Sequence, residues 1–430
     1  VQPLAFVLAV FLGLFLLRVP VAFALAAGTV VGLMLSHVPI PLSTLPTAMW
    51  QGINSFVLLA IPFFILMGDL ALASGVTRRL VDCAKAYVGH VTGGLAHVCV
   101  VVNMIMAGMS GSDLADAAAT GSILIPAMKR VGYPVAYAAS IIGGAATIGP
   151  LVPPSIAFII FAAATDTSVG RLFLGGAIPG IMLGLFLMVQ AYFVARRHNY
   201  PREPRLPYRE RLRLTVASLP VLAVPVIVLG SILGGIATPT EAAVLGVLAV
   251  LLIGGALYRD LSLAGFAGQV LRTLRTTAAI FFIVATAAAF ARVLTLYGAA
   301  AALAEWITGL TKDPAVFLIG VNVVYLFLGC LVDTVPILLV FVPLLMPTVE
   351  ALGIDPIHFG VITVFNLLIG LITPPYGLTM FLLCRISGIS VLEFWRFAWP
   401  IFVTMVLALL VTTYFPPLTT VLPNLLMPIK

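Results

Sequence analysis

The chain has 430 residues, of which 62% are apolar and only 9% are Asp, Glu, Lys or Arg, against roughly 25% charged in a soluble domain. That composition excludes an ordinary soluble enzyme, a disordered chain and a disulfide scaffold, and long unalternating apolar runs speak against a porin-like barrel. The net charge of +7 reads as a topology signal rather than a nucleic-acid footprint, because seven of the 22 basic residues lie between Arg196 and Arg213.

At about 20 apolar residues per crossing, there is material for about ten to twelve membrane helices. In chain order, the pattern predicts helices over 3–17, 20–36, 53–73, 92–107, 134–148, 155–164, 172–195, 216–234, 240–257, 276–296, 314–328, 356–369, 376–387 and 396–414. The first run, Leu4 to Leu17, has no small-residue cleavage site after it and reads as a span, not a signal peptide. Segments 109–128 and 331–349 are short and interrupted. Each follows an apolar segment, begins at a Gly-containing turn and ends near a Pro. They read as the return arms of two re-entrant hairpins, with tips near 108–113 and 329–334. Irregular backbone at membrane depth is tolerated only where it lines a protein-buried cavity.

The clearly aqueous stretch is the basic linker 196–215, which separates 1–195 from 216–430. Short loops rich in Lys and Arg stay in the cytoplasm, so this linker is expected inside. Sliding the sequence against itself aligns 108–179 with 329–400 at an offset of 221 residues, without a gap. Twelve of the 72 positions are identical, which alone proves little; the weight lies in which ones they are. Gly108 pairs with Gly329, Pro126 with Pro347, Gly132 with Gly353 and Pro179 with Pro400. Ile148-Gly149-x-x-x-Pro153-Pro154 recurs as Ile369-Gly370-x-x-x-Pro374-Pro375. Gly and Pro fix backbone geometry, so their shared pattern argues for a shared path. The copies differ in charge: Lys129-Arg130 in the first stands opposite Glu350-Ala351 in the second. Basic loops favour the cytoplasmic side, so the two loops are expected on opposite sides of the membrane. Two inverted repeats, 1–195 and 216–430, are a common plan in secondary transporters.

The first tip reads Ser110-Gly111-Ser112-Asp113-Leu114-Ala115-Asp116. Ser110 and Ser112 offer hydroxyl oxygens, and Asp113 and Asp116 open a helix whose positive dipole end they complement. Two carboxylates in an apolar stretch are expensive, which favours an ion or substrate site at a broken helix over simple capping by Ser112. At the second tip, Asp333 and Thr334 take the places of Ser112 and Asp113. Ser112, Asp113, Asp333, Thr334, Asn366 and Arg385 form the candidate substrate set.

A Pro-Pro pair removes two amide donors and pushes the preceding residue out of the helical region. Upstream carbonyls are thereby freed to point into a cavity. Sodium, treated as a hard cation, takes oxygen ligands, and unwound carbonyls near a hairpin tip are the expected transporter solution. Pairing by symmetry gives two candidate sodium sites: Gly108, Ser110, Gly149, Val152 and Ser155, and Gly329, Gly370, Thr373 and Tyr376. Two proline kinks without an ion remain the plain alternative. Glu241, in Thr238-Pro239-Thr240-Glu241, fits a helix start better than an ion site, and Asp166 an interfacial loop. Arg292 and Arg385 are possible partners for an anion, although both fit snorkelling to an interface. The four cysteines sit singly and read as free thiols, and His37, His90, His97, His198 and His358 form no ligand cluster. There is no P-loop, G-x-S-x-G or H-E-x-x-H.

With these motifs in hand, the chain resembles the large membrane subunit of TRAP (tripartite ATP-independent periplasmic) transporters. The matching segments include Ile61-Pro-Phe-Phe-Ile-Leu-Met-Gly68, Gly89-His-Val-Thr-Gly-Gly-Leu-Ala-His97 and Ser110-Gly-Ser-Asp-Leu-Ala-Asp-Ala-Ala-Ala119. Further matches are Ala146-Thr-Ile-Gly-Pro-Leu-Val-Pro-Pro-Ser155, Gly353-Ile-Asp-Pro-Ile-His-Phe-Gly360 and Ile369-Gly-Leu-Ile-Thr-Pro-Pro-Tyr-Gly377. The resemblance implies an all-α polytopic protein of the bacterial inner membrane, with an elevator-type transport domain carrying both hairpins against a scaffold. It implies sodium symport of an organic acid, a periplasmic substrate-binding protein and a small four-helix membrane subunit. It also implies sodium sites at the hairpin tips and Pro-Pro elements. Asp113 departs from the apolar or small residue, and Cys384-Arg385 from the small, polar pair, that the resemblance leads one to expect at those places. A stand-alone elevator transporter for dicarboxylates is the nearest alternative. A channel or an intramembrane enzyme lacks support, since no His/acid or Ser/Lys constellation is found.

Overall fold

The computed structural model describes residues 2–17, 19–35 and 41–428; His37 and the end of the run 20–36 fall outside them. Among these residues every regular element is helical. The first half runs α1 (Gln2–Leu16), α2 (Val21–Met34), α3 (Thr44–Ile53), α4 (Ala60–Ala73), α5 (Val76–Val88), α6 (Gly94–Ser110), α7 (Asp113–Arg130), α8 (Val135–Ala146), α9 (Ile156–Thr165) and α10 (Val169–Arg197). The second half runs α11 (Tyr208–Leu233), α12 (Pro239–Leu251), α13 (Leu263–Leu296), α14 (Ala299–Leu310), α15 (Pro314–Gly329), α16 (Thr334–Ala351), α17 (Pro356–Gly370), α18 (Leu378–Ser387), α19 (Val391–Tyr414) and α20 (Pro417–Leu426).

Six described helices are long and apolar enough to cross a membrane, or seven if α3 and the segment Val57–Ala73, bent by 62°, form one span. The sequence expectation of ten to twelve spans is met by fewer because Gly and Pro cut the rest into helices of 10–17 residues. Four helices escaped the apolar-run reading: α3, α5, α14 and α20. The reason is clearest in α5, which carries Arg78, Arg79, Asp82 and Lys85 on one face and buries Val76, Leu80, Val81 and Ala84 on the other. Its pattern is amphipathic rather than continuously apolar. The helix predicted over 276–296 begins at Leu263, because Arg272 and Arg275 interrupt the apolar run without breaking the helix.

Helix starts follow local chemistry. Thr238 and Glu241 form a reciprocal capping box at α12, with Glu241 Oε2 accepting from the Thr238 amide at 2.8 Å. Glu241 is therefore a helix-start residue. Ser390 and Glu393 do the same at α19. Asp355 caps α17 by accepting from Ile357 N at 2.7 Å.

Element boundaries repeat at the sequence offset. α7 and α16 begin and end at aligned positions, and α8, α9 and α10 start within one residue of the positions aligned with α17, α18 and α19. The two sets interlock: α9 packs on α16, α18 on α7, α19 on α8 and α10 on α17. Large buried side chains, among them Phe158, Phe161, Phe173, Phe359 and Phe365, fill the seams. Around this body, α13 packs against α2, α3 and α4, and α12 against α4 and α11. The outward faces of α11, α13 and α15 expose Val226, Leu263, Val323 and Phe327, as expected of surfaces solvated by lipid. The basic linker is tied down by Tyr200, whose ring lies 4.6 Å from that of Tyr133 and 5.2 Å from that of Tyr137. Lys85 and Glu203 add an ion pair at 3.5 Å.

Candidate functional site

Gly111, with φ of +58°, ends α6 in the left-handed region, and extended Ser112 begins α7 with its Oγ accepting from Ala115 N at 3.5 Å. Only glycine takes this turn without strain, and the close approach demands it as well. A Cβ on Gly111 would stand 2.7 Å from the Pro154 carbonyl oxygen. Gly108 packs on Pro225, and the Pro153 carbonyl lies near it. The first tip therefore rests on the Pro153-Pro154 element, whose two prolines are joined by a cis bond.

Inside this junction Ser110 Oγ donates to Asp116 Oδ1 at 2.6 Å. Asp116 is fully buried, and its Oδ2 has no hydrogen-bond partner among the described residues. Gly149 closes over that oxygen: a Cβ there would lie 2.6 Å from Asp116 Oδ2. A buried carboxylate oxygen without a partner is costly; the Ser110 hydroxyl holds the other oxygen of this carboxylate, and the Ala146 carbonyl lies beside the same face of Gly149. That donor set suits a hard cation. Val152 and Ser155 sit in the same element, but the Val152 amide is bonded to Ile148 O and the Ser155 hydroxyl caps α9 through Phe158 N at 3.2 Å.

At the second tip, four residues join α15 to α16. Asp333 caps α16, its Oδ1 accepting from Thr334 N at 2.7 Å. Thr334 is buried and its hydroxyl has no partner among the described residues. Gly329 and Gly370 meet main chain to main chain, and the Tyr376 amide donates to Cys330 O at 3.0 Å. Thr373 Oγ1 donates to Ile369 O at 2.7 Å. Gly329, Gly370, Thr373 and Tyr376 thus converge on one junction.

The two tips communicate. Thr379, on α18, donates its hydroxyl proton to Asp113 Oδ2 on α7. The Asp113 carboxylate is also within electrostatic reach of Asp333 on the other tip and of Asp116 on its own helix. Asp113 is therefore buried between the halves rather than on a cleft wall. Asn366, proposed as a substrate contact, is fully buried and donates to Asn322 O and Oδ1, both at 2.8 Å. Asn322 donates in turn to Thr413 Oγ1 at 3.0 Å, and His358 contacts Thr413 O and Thr419 Oγ1. This chain of polar contacts ties α15, α17, α19 and α20 together. Arg385 and Arg292 are exposed and hold no ion pair among the described residues.

Beside the first tip lies a cavity of about 410 Å³, with Ser110, Ser112 and Ala115 on one wall and Asp69, Arg272 and Thr276 on the other. Ser112 is the member of the candidate substrate set that lines it. Sequence reading counts Asp116 with Asp113 toward an ion or substrate site but leaves it out of both residue sets, and it misses two residues altogether. Asp69 is a lone acid in the apolar helix α4, itself a signal of function. Arg272 gave no separate signal, because it sits beside Arg275 where basic residues mark a helix end. No group of three His, Cys, Asp or Glu side chains is placed to hold a metal among the described residues.

Residues 8–418 match the family described as "Tripartite ATP-independent periplasmic transporter, DctM component". The chain is 42% identical over 386 residues to the C4-dicarboxylate TRAP transporter large permease protein of Pseudomonas aeruginosa, covering 90% of each. It is 36% identical over 414 residues to the sialic acid TRAP transporter large permease protein of Vibrio cholerae, covering 96% of this chain and 97% of that one. Its fold is similar to that of Neisseria gonorrhoeae MtrF, described with a class of antimetabolite efflux pumps. The TM-score is 0.65 at 13% identity, over 95% of this chain and 96% of that one.

Proposed function

The chain belongs to the large permease subunits of TRAP transporters, multi-pass proteins of the bacterial membrane, and from that premise we propose that it imports an organic acid together with sodium by an elevator movement. A periplasmic binding protein delivers the acid, and a small membrane subunit completes the complex. The relative named for C4-dicarboxylates makes that class the first to try.

The observation that carries the sodium reading is the unpartnered Oδ2 of buried Asp116 between Ser110 and Gly149. The residues fit the ion. At the first junction the Asp116 carboxylate, the Ser110 hydroxyl and main-chain oxygens near Gly108, Gly149 and Pro153-Pro154 would hold it. At the second, main-chain oxygens at Gly329, Gly370, Thr373 and Tyr376 and the Thr334 hydroxyl would. The recurring element boundaries at offset 221, with basic and acidic loops at aligned places, support two repeats of opposite orientation.

Coupling is linkage: sodium and acid must favour the same loaded state. Asp113 contributes by joining α7 to α18 through Thr379, so the state of one tip is felt by helices of the other half. Elevator movement places the moving boundary between the interlocked set α6–α10 with α15–α19 and the surrounding helices α1–α4 and α11–α13.

The test is uptake into proteoliposomes holding this chain and its small subunit. The assay supplies the cognate binding protein, an inward sodium gradient and a panel of radiolabelled acids: succinate, 2-oxoglutarate, pyruvate and N-acetylneuraminate. Uptake that needs both sodium and the binding protein supports the proposal. Uptake without the binding protein favours the stand-alone reading, and uptake indifferent to sodium removes the ion sites.

A further inference from the structure

Arg272 stands on α13, a helix of the second half, yet it faces the tip of the first hairpin across the 410 Å³ cavity. Its side chain is 63% exposed, and its Nε lies 3.6 Å from Asp69 Oδ1 on α4. Asp69 is in turn fixed from its other oxygen by the Thr273 hydroxyl at 3.0 Å. Asp69 thus engages the Nε edge of the guanidinium. The terminal nitrogens donate to no acceptor among the described residues, so they remain available to a ligand. A planar fork of paired N–H donors matches a carboxylate or a phosphate bidentately, and an organic acid supplies the first of these.

The opposite wall carries Ser110 and Ser112; the Ser110 proton is already given to Asp116, and the Ser112 hydroxyl keeps its proton for a ligand. A second cavity of about 380 Å³ shares Ala115, Ala118 and Arg272 with the first and adds Arg78, which has no ion pair among the described residues. Arg272 therefore sits where the two cavities join, with a second cation further along. The acid facing it is Asp69, and Asp69 lies toward Nε.

We propose that Arg272 is the residue that recognises the substrate's carboxylate, reaching from the surrounding helices to a ligand held at Ser112 on the first tip. The inference rests on the organic-acid reading above. It assigns the two ends of the ligand to the two bodies that move past each other. The tip's hydroxyl travels with the ligand, and Arg272 meets it on the side where the paired cavities open. A neutral analogue of the same shape loses the forked contact and keeps the hydroxyl contact. Arg272→Lys retains charge but not the fork.

The test is equilibrium binding of a radiolabelled acid to the purified permease complex in lipid nanodiscs, with sodium and without the binding protein. The acid is the member of the uptake panel that the wild-type complex carries, and its amide serves as the neutral comparison. Arg272→Gln is expected to raise Kd about tenfold or more, Arg272→Lys about threefold, and Arg275→Gln, one turn along the same exposed stretch, less than twofold. Discrimination between acid and amide should fall from about tenfold in the wild type to less than twofold in Arg272→Gln. A structural defect alone would weaken acid and amide together. Unchanged acid affinity in Arg272→Gln, with wild-type uptake intact, overturns the role of Arg272 and leaves the transporter reading standing. If the wild type carries no acid of the panel, the organic-acid reading falls and this inference falls with it.

Discussion

At the first tip a two-residue turn leads into α7, and Ser110, Asp113 and Asp116 crowd two carboxylates into a buried junction. At the second tip four residues separate α15 from α16, and the one carboxylate, Asp333, is spent on capping the next helix. The first tip leans on the Pro153-Pro154 carbonyls through Gly108 and Gly111; the second meets Gly370 through Gly329, backbone on backbone. Thr379, which bonds Asp113, aligns with Phe158, so the aligned threonine of the second tip, Thr334, keeps an unpartnered hydroxyl. Aligned backbones therefore carry unequal chemistry. The first junction holds a carboxylate oxygen without a partner among the described residues, whereas the carboxylate of the second is engaged by the helix start it caps. The difference teaches that repeat symmetry fixes where a site can form, while individual side chains fix how strongly it binds.

The steepest contrast should come from the glycines. A Cβ on Gly370 runs into the Gly329 main chain, which has no rotamer to yield. Gly370→Ala is expected to cost about 3 kcal/mol or more, at the upper end of overpacking, and to abolish uptake. Gly149→Ala meets the Asp116 carboxylate at 2.6 Å and main chain, the Ala146 carbonyl, only at 3.0 Å. It should cost about 1 kcal/mol less in thermal unfolding while still losing sodium dependence. Equal destabilisation of both would erase the contrast between a rigid and an adaptable junction.

The polar contact between halves comes next. Thr379→Val leaves the buried Asp113 without its hydroxyl donor and should cost about 1–3 kcal/mol. Phe158→Leu at the aligned place should cost about 1 kcal/mol by loss of packing. Thermal unfolding of the two variants compares them, and a larger effect at Phe158 would count against Asp113 as the polar link.

Asn366→Ala should lose about 1–2 kcal/mol of stability through the stranded Asn322, with ligand affinity within twofold. A tenfold loss of affinity at unchanged stability would restore Asn366 to the substrate site. The smallest effect is expected at Arg385. Its replacement by Gln should alter stability by no more than about 0.5 kcal/mol, and uptake should stay within twofold of wild type.

Much of this was legible before any coordinates. Composition gave the membrane class, and the Gly and Pro pattern at offset 221 located both tips and both Pro-Pro elements, because those residues constrain backbone wherever they occur. The gathering of Gly329, Gly370, Thr373 and Tyr376 could be inferred from symmetry alone. What stayed hidden depends on contacts between halves. Asp113 looks like a cleft residue until Thr379 arrives from 266 positions away. Asn366 looks like an open polar group until Asn322 is placed beside it. Arg272 needed the packing of α13 on α4 to be seen beside Asp69 and the first tip. Short amphipathic α5 was lost because a search for apolar runs is blind to a one-sided helix.

The most direct measurement is the sodium dependence of thermal unfolding of the purified complex, compared among wild type, Asp116→Asn and Thr334→Val. The account predicts stabilisation by sodium but not potassium in the wild type. The sodium concentration needed should rise about tenfold or more in nearly isosteric Asp116→Asn and only a few-fold in Thr334→Val. A wild type indifferent to sodium, or an Asp116→Asn variant with the wild-type response, would contradict it.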